Sequence, residues 1–162
     1  MIFDVLMSFK RLQWLFPIAV ALHNCEEAIW LPGWAVSHAS QLPVHPPPAG
    51  EFRLALLVLT VGAVAVTGLS AMKGPQSLWT YLTFGYIVAM WVNVMVPHVP
   101  ATVILHSYTP GVVTAVLINL PVMSYLAVRA MAEDWVSGWK AVTSAIAAPA
   151  VLGSAIAFFL FA

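Results

Sequence analysis

The chemically distinctive residues of this chain are one histidine and two adjacent glutamates inside its first long apolar stretch, in the run His23-Asn24-Cys25-Glu26-Glu27. A charged side chain near the centre of a bilayer costs roughly 2.5–3.5 kcal/mol on insertion scales, so ionisable residues at such positions usually have a function. On an α-helix Glu26 and Glu27 follow His23 by three and four residues, which places all three side chains on one face. An imidazole and two carboxylates arranged in this way can chelate a divalent cation or share protons.

This helix face offers only one histidine, so further metal ligands have to come from other segments. The motif differs in this respect from H-E-x-x-H, in which two histidines bind zinc. Three candidates are Asn93 in the third apolar stretch, His98 between two prolines, and His106 shortly before the fourth stretch. A buried amide is costly without a hydrogen-bond partner, and the prolines favour extended backbone that can turn the His98 imidazole back toward the helices.

The start of the fourth helix is expected close to these residues. In the sequence Tyr108-Thr109-Pro110-Gly111, Thr109 is suited to the N-cap and Pro110 to the first helical position. The positive end of the helix dipole would then favour an anion or a developing oxyanion nearby.

The composition indicates that the helix which positions these residues spans a membrane. The chain has 162 residues, of which 62% are hydrophobic and only 7% are charged, whereas soluble domains contain about 25% charged residues. We therefore predict an all-α polytopic membrane protein, a compact bundle that forms a single transmembrane domain over residues 1–162. The formal net charge of zero argues against nucleic acid as a partner.

Five apolar stretches are long enough to cross about 30 Å of hydrocarbon. We predict membrane spans at about 12–32, 54–71, 78–96, 110–130 and 142–161. Proline-rich residues 43–50 should not be helical, residues 73–75 should form a tight turn, residues 97–100 should end the third helix, and the acidic pair at 133–134 should precede the fifth.

The basic residues predict the orientation of this bundle. With the N-terminus inside and the C-terminus outside, five of the six basic residues lie on the cytoplasmic side and Arg53 lies opposite, as the positive-inside rule favours; the five are Lys10, Arg11, Lys73, Arg129 and Lys140. His23, Glu26 and Glu27 then fall in the outer half of the bilayer. We expect an integral protein of the cytoplasmic (inner) membrane whose site faces the extracytoplasmic side.

Three motifs in this order resemble a known family. The run at 23–27, then Asn93 with His98, then Tyr108-x-Pro110-Gly111-x-x-Thr114 are similar to the motifs of integral membrane proteins named for their HxxEE motif. The resemblance extends from the first predicted span to the fourth. It implies a membrane protein with a metal-dependent site and leaves the reaction open.

Our first functional hypothesis is a metal-dependent membrane enzyme, a zinc hydrolase acting on a lipid or lipid-linked substrate near the outer leaflet. His23, Glu26 or Glu27, and His98 would bind the zinc and leave one coordination position open, with His106 as a further candidate ligand. The remaining glutamate, for which Glu27 is favoured, would be the general base. Asn93 and Tyr108 would orient the attacking water or stabilise an oxyanion.

Other hypotheses remain open at this point. Histidine and carboxylate ligands also suit iron, as in a non-haem oxidase or desaturase. A glutamate could activate water without a metal, and the cluster could instead relay ions or protons in a translocator. The glutamates could also be a structural pair satisfied by neighbouring polar groups.

The last span carries small residues at every fourth position, which favours close packing in the bundle or a homodimer; they are Ala145, Pro149, Gly153 and Ala157.

Overall fold

The computed structural model describes residues 8–42 and 46–161, with side chains up to residue 154. These residues form helices and turns, and no strand occurs among them. The helices are α1 (Phe9–Leu12), α2 (Leu15–Ser37), α3 (Ala49–Lys73), α4 (Leu78–Ile104), α5 (Val112–Ala132) and α6 (Gly138–Phe161), with one 3₁₀ turn at Ala39–Gln41. The predicted all-α class is confirmed.

Three helices of the described chain, α3, α4 and α5, are long and apolar enough to cross a membrane, where the sequence predicted five. The first predicted span is a helix of sufficient length, since α2 has 23 residues, but His23, Asn24, Glu26 and Glu27 interrupt its apolar character. Helix α6 has 24 residues, and its side chains are described only in part. The structure therefore supports a membrane protein with three membrane-compatible helices.

The helices extend beyond the predicted apolar limits because backbone hydrogen bonding continues into the flanking residues. Helix α2 runs through Pro32 to Ser37, and α6 begins four residues before the predicted start. Residues 49 and 50 already belong to α3, so the non-helical segment is shorter than predicted; of that segment, residues 43–45 lie outside the described residues. The turn after Lys73 is confirmed, and Gly74 ends α3 with a φ of +80°.

The break that the sequence predicts at residues 97–100 is present as a kink in α4. Val96 leaves the helical region with φ −150° and ψ 113°, within a turn at Val94–His98 that separates the regular helix Leu78–Asn93 from the short helix Val99–Ile104. Pro97 has no N–H to donate and its ring crowds the carbonyl one turn earlier, so a regular helix cannot continue through it. We refer to Val94–His98 as the π-helical turn of α4.

The predicted N-cap of the fourth helix is wrong, and the helix starts two residues later than predicted. Helix α5 begins at Val112, and its N-cap is Gly111 in a left-handed conformation with φ +95°, so Thr109 is not the cap. A second π-helical turn, Ala115–Asn119, follows within the first two turns of α5. It contacts the π-helical turn of α4. Two irregular turns thus meet beside the middle of α2.

Helix α4 lies at the centre of the bundle and packs against α3, α5 and α6, while α2 packs against α3 and α5. The core is apolar, and its fully buried side chains include Phe16, Val20, Ile87, Met123 and Leu126. Gly85 allows the closest approach of α4 to α6, since a Cβ atom there would lie 2.7 Å from the Ser144 carbonyl oxygen. Apolar side chains on the outer face of α3, such as Leu54 and Leu57, are more than half exposed, as expected for a lipid-facing surface.

Candidate metal centre

Three side chains from two helices converge beside the π-helical turns. Helix α2 contributes His23 and Glu27, and the distorted part of α4 contributes His98. Nε2 of His98 lies 3.4 Å from Glu27 Oε1, and Nε2 of His23 lies 3.8 Å from the same oxygen. One ligand atom from each residue falls within 4.8 Å of the others. We refer to these three residues as the His–Glu–His cluster.

The cluster lies inside the protein. His23 and His98 are 1% and 5% exposed, and the Glu27 side chain is 12% exposed. The two imidazole rings stand at 89° to each other with their centroids 4.8 Å apart. Nε2 of His98 is buried and has no hydrogen-bond partner among the described residues. A buried polar atom without a partner is costly, so this nitrogen is suited to receiving a ligand.

Gly111 makes room for this cluster. A Cβ atom at this position would lie 2.5 Å from His98 Cε1 and 3.1 Å from Glu27 Cγ. Its φ of +95° is also a conformation that residues with a side chain rarely adopt. Both the backbone conformation and the close approach therefore require glycine here.

Glu26 has a different environment from its neighbour Glu27. Its Oε1 accepts hydrogen bonds from the Tyr108 hydroxyl at 2.6 Å and from the Gly111 N–H at 3.0 Å. Its Oε2 accepts from the N–H and the hydroxyl of Thr114, at 2.9 and 2.6 Å. This carboxylate is occupied by donors from the segment that starts α5, and it does not belong to the His–Glu–His cluster.

Tyr108 lies at the exposed edge of the site, in the connection between α4 and α5. It is 47% exposed, and its hydroxyl reaches Glu26. Partial burial and the hydrogen bond to Glu26 raise the pKa of Tyr108 to about 12. At neutral pH the hydroxyl therefore keeps its proton and acts as a donor.

Asn93 and Thr114 both contact His23. The Asn93 amide nitrogen lies 3.3 Å from Nε2, and the Thr114 hydroxyl oxygen lies 3.0 Å from Nδ1. Asn93 was among the residues that the sequence predicted for the site, whereas Thr114 belonged to the third motif and was assigned no role. The sequence feature that could have indicated a role for Thr114 is its position three residues after Gly111, at the end of the third motif.

The two other described histidines, His38 and His106, are not brought to this cluster. His106 is exposed and has a φ of +49°, and it is not a member of the group of ligand atoms. His38 stacks on Trp34 at the end of α2 with ring centroids 4.4 Å apart. His45 lies outside the described residues. A metal-binding role for His106 or Glu26 stays a prediction that this arrangement does not favour.

The fold and the site together define an all-helical protein with membrane-compatible helices and a buried group of two histidines and one glutamate. The chain belongs to the family described as "Protein of unknown function with HXXEE motif", which it matches over residues 14–126. That range contains the whole His–Glu–His cluster together with Glu26, Asn93, Tyr108 and Thr114. The resemblance seen in the three motifs is thereby confirmed.

A relative in Bacillus subtilis (strain 168) shares much of the sequence. It is the protein described as "Uncharacterized protein YrkK", which is 34% identical over 126 residues, or 77% of each chain. No solved structure matches this chain.

Proposed function

We propose that this protein is a membrane-embedded metal-dependent enzyme, with a zinc hydrolase as the best-supported class. The observation that carries the proposal is the buried convergence of His23, Glu27 and His98, whose ligand atoms lie within 4.8 Å of one another. Two imidazoles and one carboxylate form a donor set that catalytic zinc sites use, with a fourth position left for substrate or water. A zinc ion held there would supply a Lewis acid that polarises a carbonyl or phosphoryl oxygen.

The protein groups around the cluster suit the handling of a substrate. Because the Asn93 amide lies 3.3 Å from His23 Nε2, it faces the same space as the ligand atoms and can donate to a substrate oxygen. Tyr108 keeps its proton and stands at the exposed edge, where a substrate would enter. Glu27 is the carboxylate that we assign to the metal; without a metal it is the residue placed to act as general base.

The substrate we propose is a lipid or a lipid-linked molecule, reached from the outer leaflet of the cytoplasmic membrane. In this arrangement α2 and α6 cross the bilayer together with the three most apolar helices, and the N-terminus is inside. Support comes from the turns after α3 and α5, which meet where the Gln76 N–H donates to the Trp135 carbonyl at 2.9 Å. Lys73, Arg129 and Lys140 lie in or next to these turns, so the basic residues gather at one end of the bundle.

The homodimer through α6 also stays a proposal. Part of the stripe of small residues packs within the chain, because Ala145 contacts the core, and Ala148, next to Pro149 of the stripe, faces Gly85. Gly153 has open space where a side chain would be. A second copy could pack only against the part of α6 that the bundle leaves open.

A non-haem iron oxidase or desaturase is the second candidate, and the same cluster favours it. Two histidines and one carboxylate form the donor set of many non-haem iron(II) oxygenases. The donor atoms do not distinguish zinc from iron. The proposed location favours zinc, because a site that faces away from the cytoplasm is remote from the cytoplasmic reductants that an iron enzyme would need.

The metal content of protein purified without added metal tests this proposal. We expect one zinc per chain in the wild type, loss of zinc in His98→Ala and Glu27→Gln, and retention in the control His106→Ala. Stoichiometric iron would redirect the assignment to the second candidate. A wild-type protein that contains no metal and binds none on addition would contradict both metal-dependent functions.

A further inference from the structure

We propose that Glu26 is a positioning residue, which fixes the tautomer of His23 through the hydroxyl of Thr114. In this arrangement Nδ1 of His23 carries the proton and Nε2 presents its lone pair to the His–Glu–His cluster. The effect of this tautomer on metal binding rests on the proposed metal-dependent function. The tautomer itself is a property of the metal-free protein.

The Thr114 hydroxyl has one proton, and its contacts indicate where that proton points. The oxygen lies 2.6 Å from Glu26 Oε2, 3.0 Å from His23 Nδ1 and 3.2 Å from the Gly111 carbonyl. A carboxylate is the strongest of these acceptors and makes the shortest hydrogen bonds. The hydroxyl therefore donates to Glu26, and its lone pair accepts the proton of His23 Nδ1.

A second contact agrees with this tautomer. The Asn93 side-chain nitrogen lies 3.3 Å from Nε2 of His23. An amide NH₂ group donates and does not accept, so in this orientation Nε2 of His23 is the acceptor. Because an amide can rotate and present its oxygen instead, Asn93 follows the tautomer that Glu26 and Thr114 fix and does not fix it alone.

The consequence concerns the nitrogen that faces the cluster. Nε2 of His23 lies 3.8 Å from Glu27 Oε1, and its lone pair would bind a metal in place of the Asn93 N–H. Metal-binding histidines commonly donate their other ring N–H to a carboxylate or carbonyl, which fixes the ring and raises its basicity. Here a threonine hydroxyl stands between the imidazole and the carboxylate. The two adjacent glutamates thereby separate into one ligand, Glu27, and one residue that orients a ligand, Glu26.

Thr114→Val tests the chain of contacts with little change of shape, because it removes the hydroxyl and keeps the backbone N–H that binds Glu26. Thr114→Ser restores the hydroxyl. Thr83→Val is a matched control, since Thr83 is fully buried and, among the described residues, its hydroxyl bonds only to the carbonyls of Val66 and Trp79, in α3 and α4. The first measurement is nitrogen NMR of ¹⁵N-histidine in metal-free protein in detergent, with His23 assigned by its absence in His23→Gln. The second is zinc affinity by competition with a chelator.

The wild type, Thr114→Ser and Thr83→Val should all show His23 protonated at Nδ1. Thr114→Val should lose this tautomer and bind zinc about 10–100-fold more weakly. Protonation at Nε2 in the wild type would overturn the inference without any variant. A Thr114→Val protein that keeps either the wild-type tautomer or the wild-type affinity would also overturn it. If the wild type binds no zinc, the proposed function fails, and the NMR result still decides the tautomer.

Discussion

At the scale of single residues, the two adjacent glutamates divide two tasks between them. Glu26 accepts four hydrogen bonds from Tyr108, Gly111 and Thr114, whereas Glu27 faces two imidazoles. Helix spacing places both carboxylates near His23 and cannot distinguish them. Their difference arises from donors more than 80 residues later in the chain. The tertiary structure therefore determines that Glu27 is the candidate metal ligand and that Glu26 is the residue held by hydrogen bonds.

This division predicts opposite effects of the same substitution. Glu26→Gln should lower the free energy of unfolding by about 2–4 kcal/mol, because hydrogen bonds to a charged acceptor are lost and the new amide NH₂ faces the Thr114 donors. Glu27→Gln should leave the stability of the metal-free protein unchanged or raise it, because the described residues donate no hydrogen bond to this largely buried carboxylate and the amide carries no charge. Thermal unfolding in detergent without metal measures both. Equal losses in the two variants would contradict the division.

Gly111 provides a second prediction at this scale. Gly111→Ala should cost about 1–2 kcal/mol for the left-handed backbone, and it should also weaken metal binding at least tenfold because the new methyl group meets His98. Gly74→Ala is the matched control, since Gly74 has a φ of +80° and a methyl group added there would have nothing within 4 Å. It should lower the unfolding temperature without changing zinc affinity. A similar affinity in both variants would show that Gly111 matters only for its backbone.

At the scale of helices, apolar length predicted where most of the elements lie, and local chemistry could not predict how they are interrupted. Residues 97–100 contain two prolines, which in isolation indicate a helix end. In the bundle this end is a kink at Val96, and a further helical segment, Val99–Ile104, follows it. His98 is buried beside Glu27, but its own backbone is helical and not extended as the prolines suggested. The role of Thr114 could not be predicted, because it depends on contacts between α2 and α5.

The contact between α4 and α6 yields a prediction at this scale. A methyl group at Gly85 would lie 2.7 Å from the Ser144 carbonyl oxygen and 2.8 Å from the Ala148 Cβ. Gly85→Ala should therefore destabilise the bundle by about 1–3 kcal/mol, since neither neighbour can rotate away. Gly62→Ala on α3 has open space and should be neutral or slightly stabilising. The unfolding temperatures of the two variants test this prediction. A Gly85→Ala protein with the wild-type unfolding temperature would argue against the close packing of α4 and α6.

At the scale of the whole molecule, the polar features separate toward two ends of the bundle. The turns that follow α3 and α5 bond to each other through Gln76, Asp134 and Ser137. The connection between α4 and α5 lies at the far end, because α4 leads away from these turns and α5 returns to them. It carries Tyr108 and Gly111, which border the His–Glu–His cluster. The candidate site thus lies toward the end of the bundle opposite the basic turns.

The proposed orientation predicts which end a reagent outside the cell can reach. In a Cys25→Ser background, a membrane-impermeant maleimide should label His106→Cys on intact cells, because His106 is exposed in the α4–α5 connection. Ser137→Cys, exposed in the opposite turn, should be labelled only after the membrane is permeabilised. The reverse pattern would place the cluster toward the cytoplasm, within reach of cellular reductants. For the same two histidines and one carboxylate, that location would favour iron over zinc, so the labelling result bears on the chemistry of the site as well as on its location.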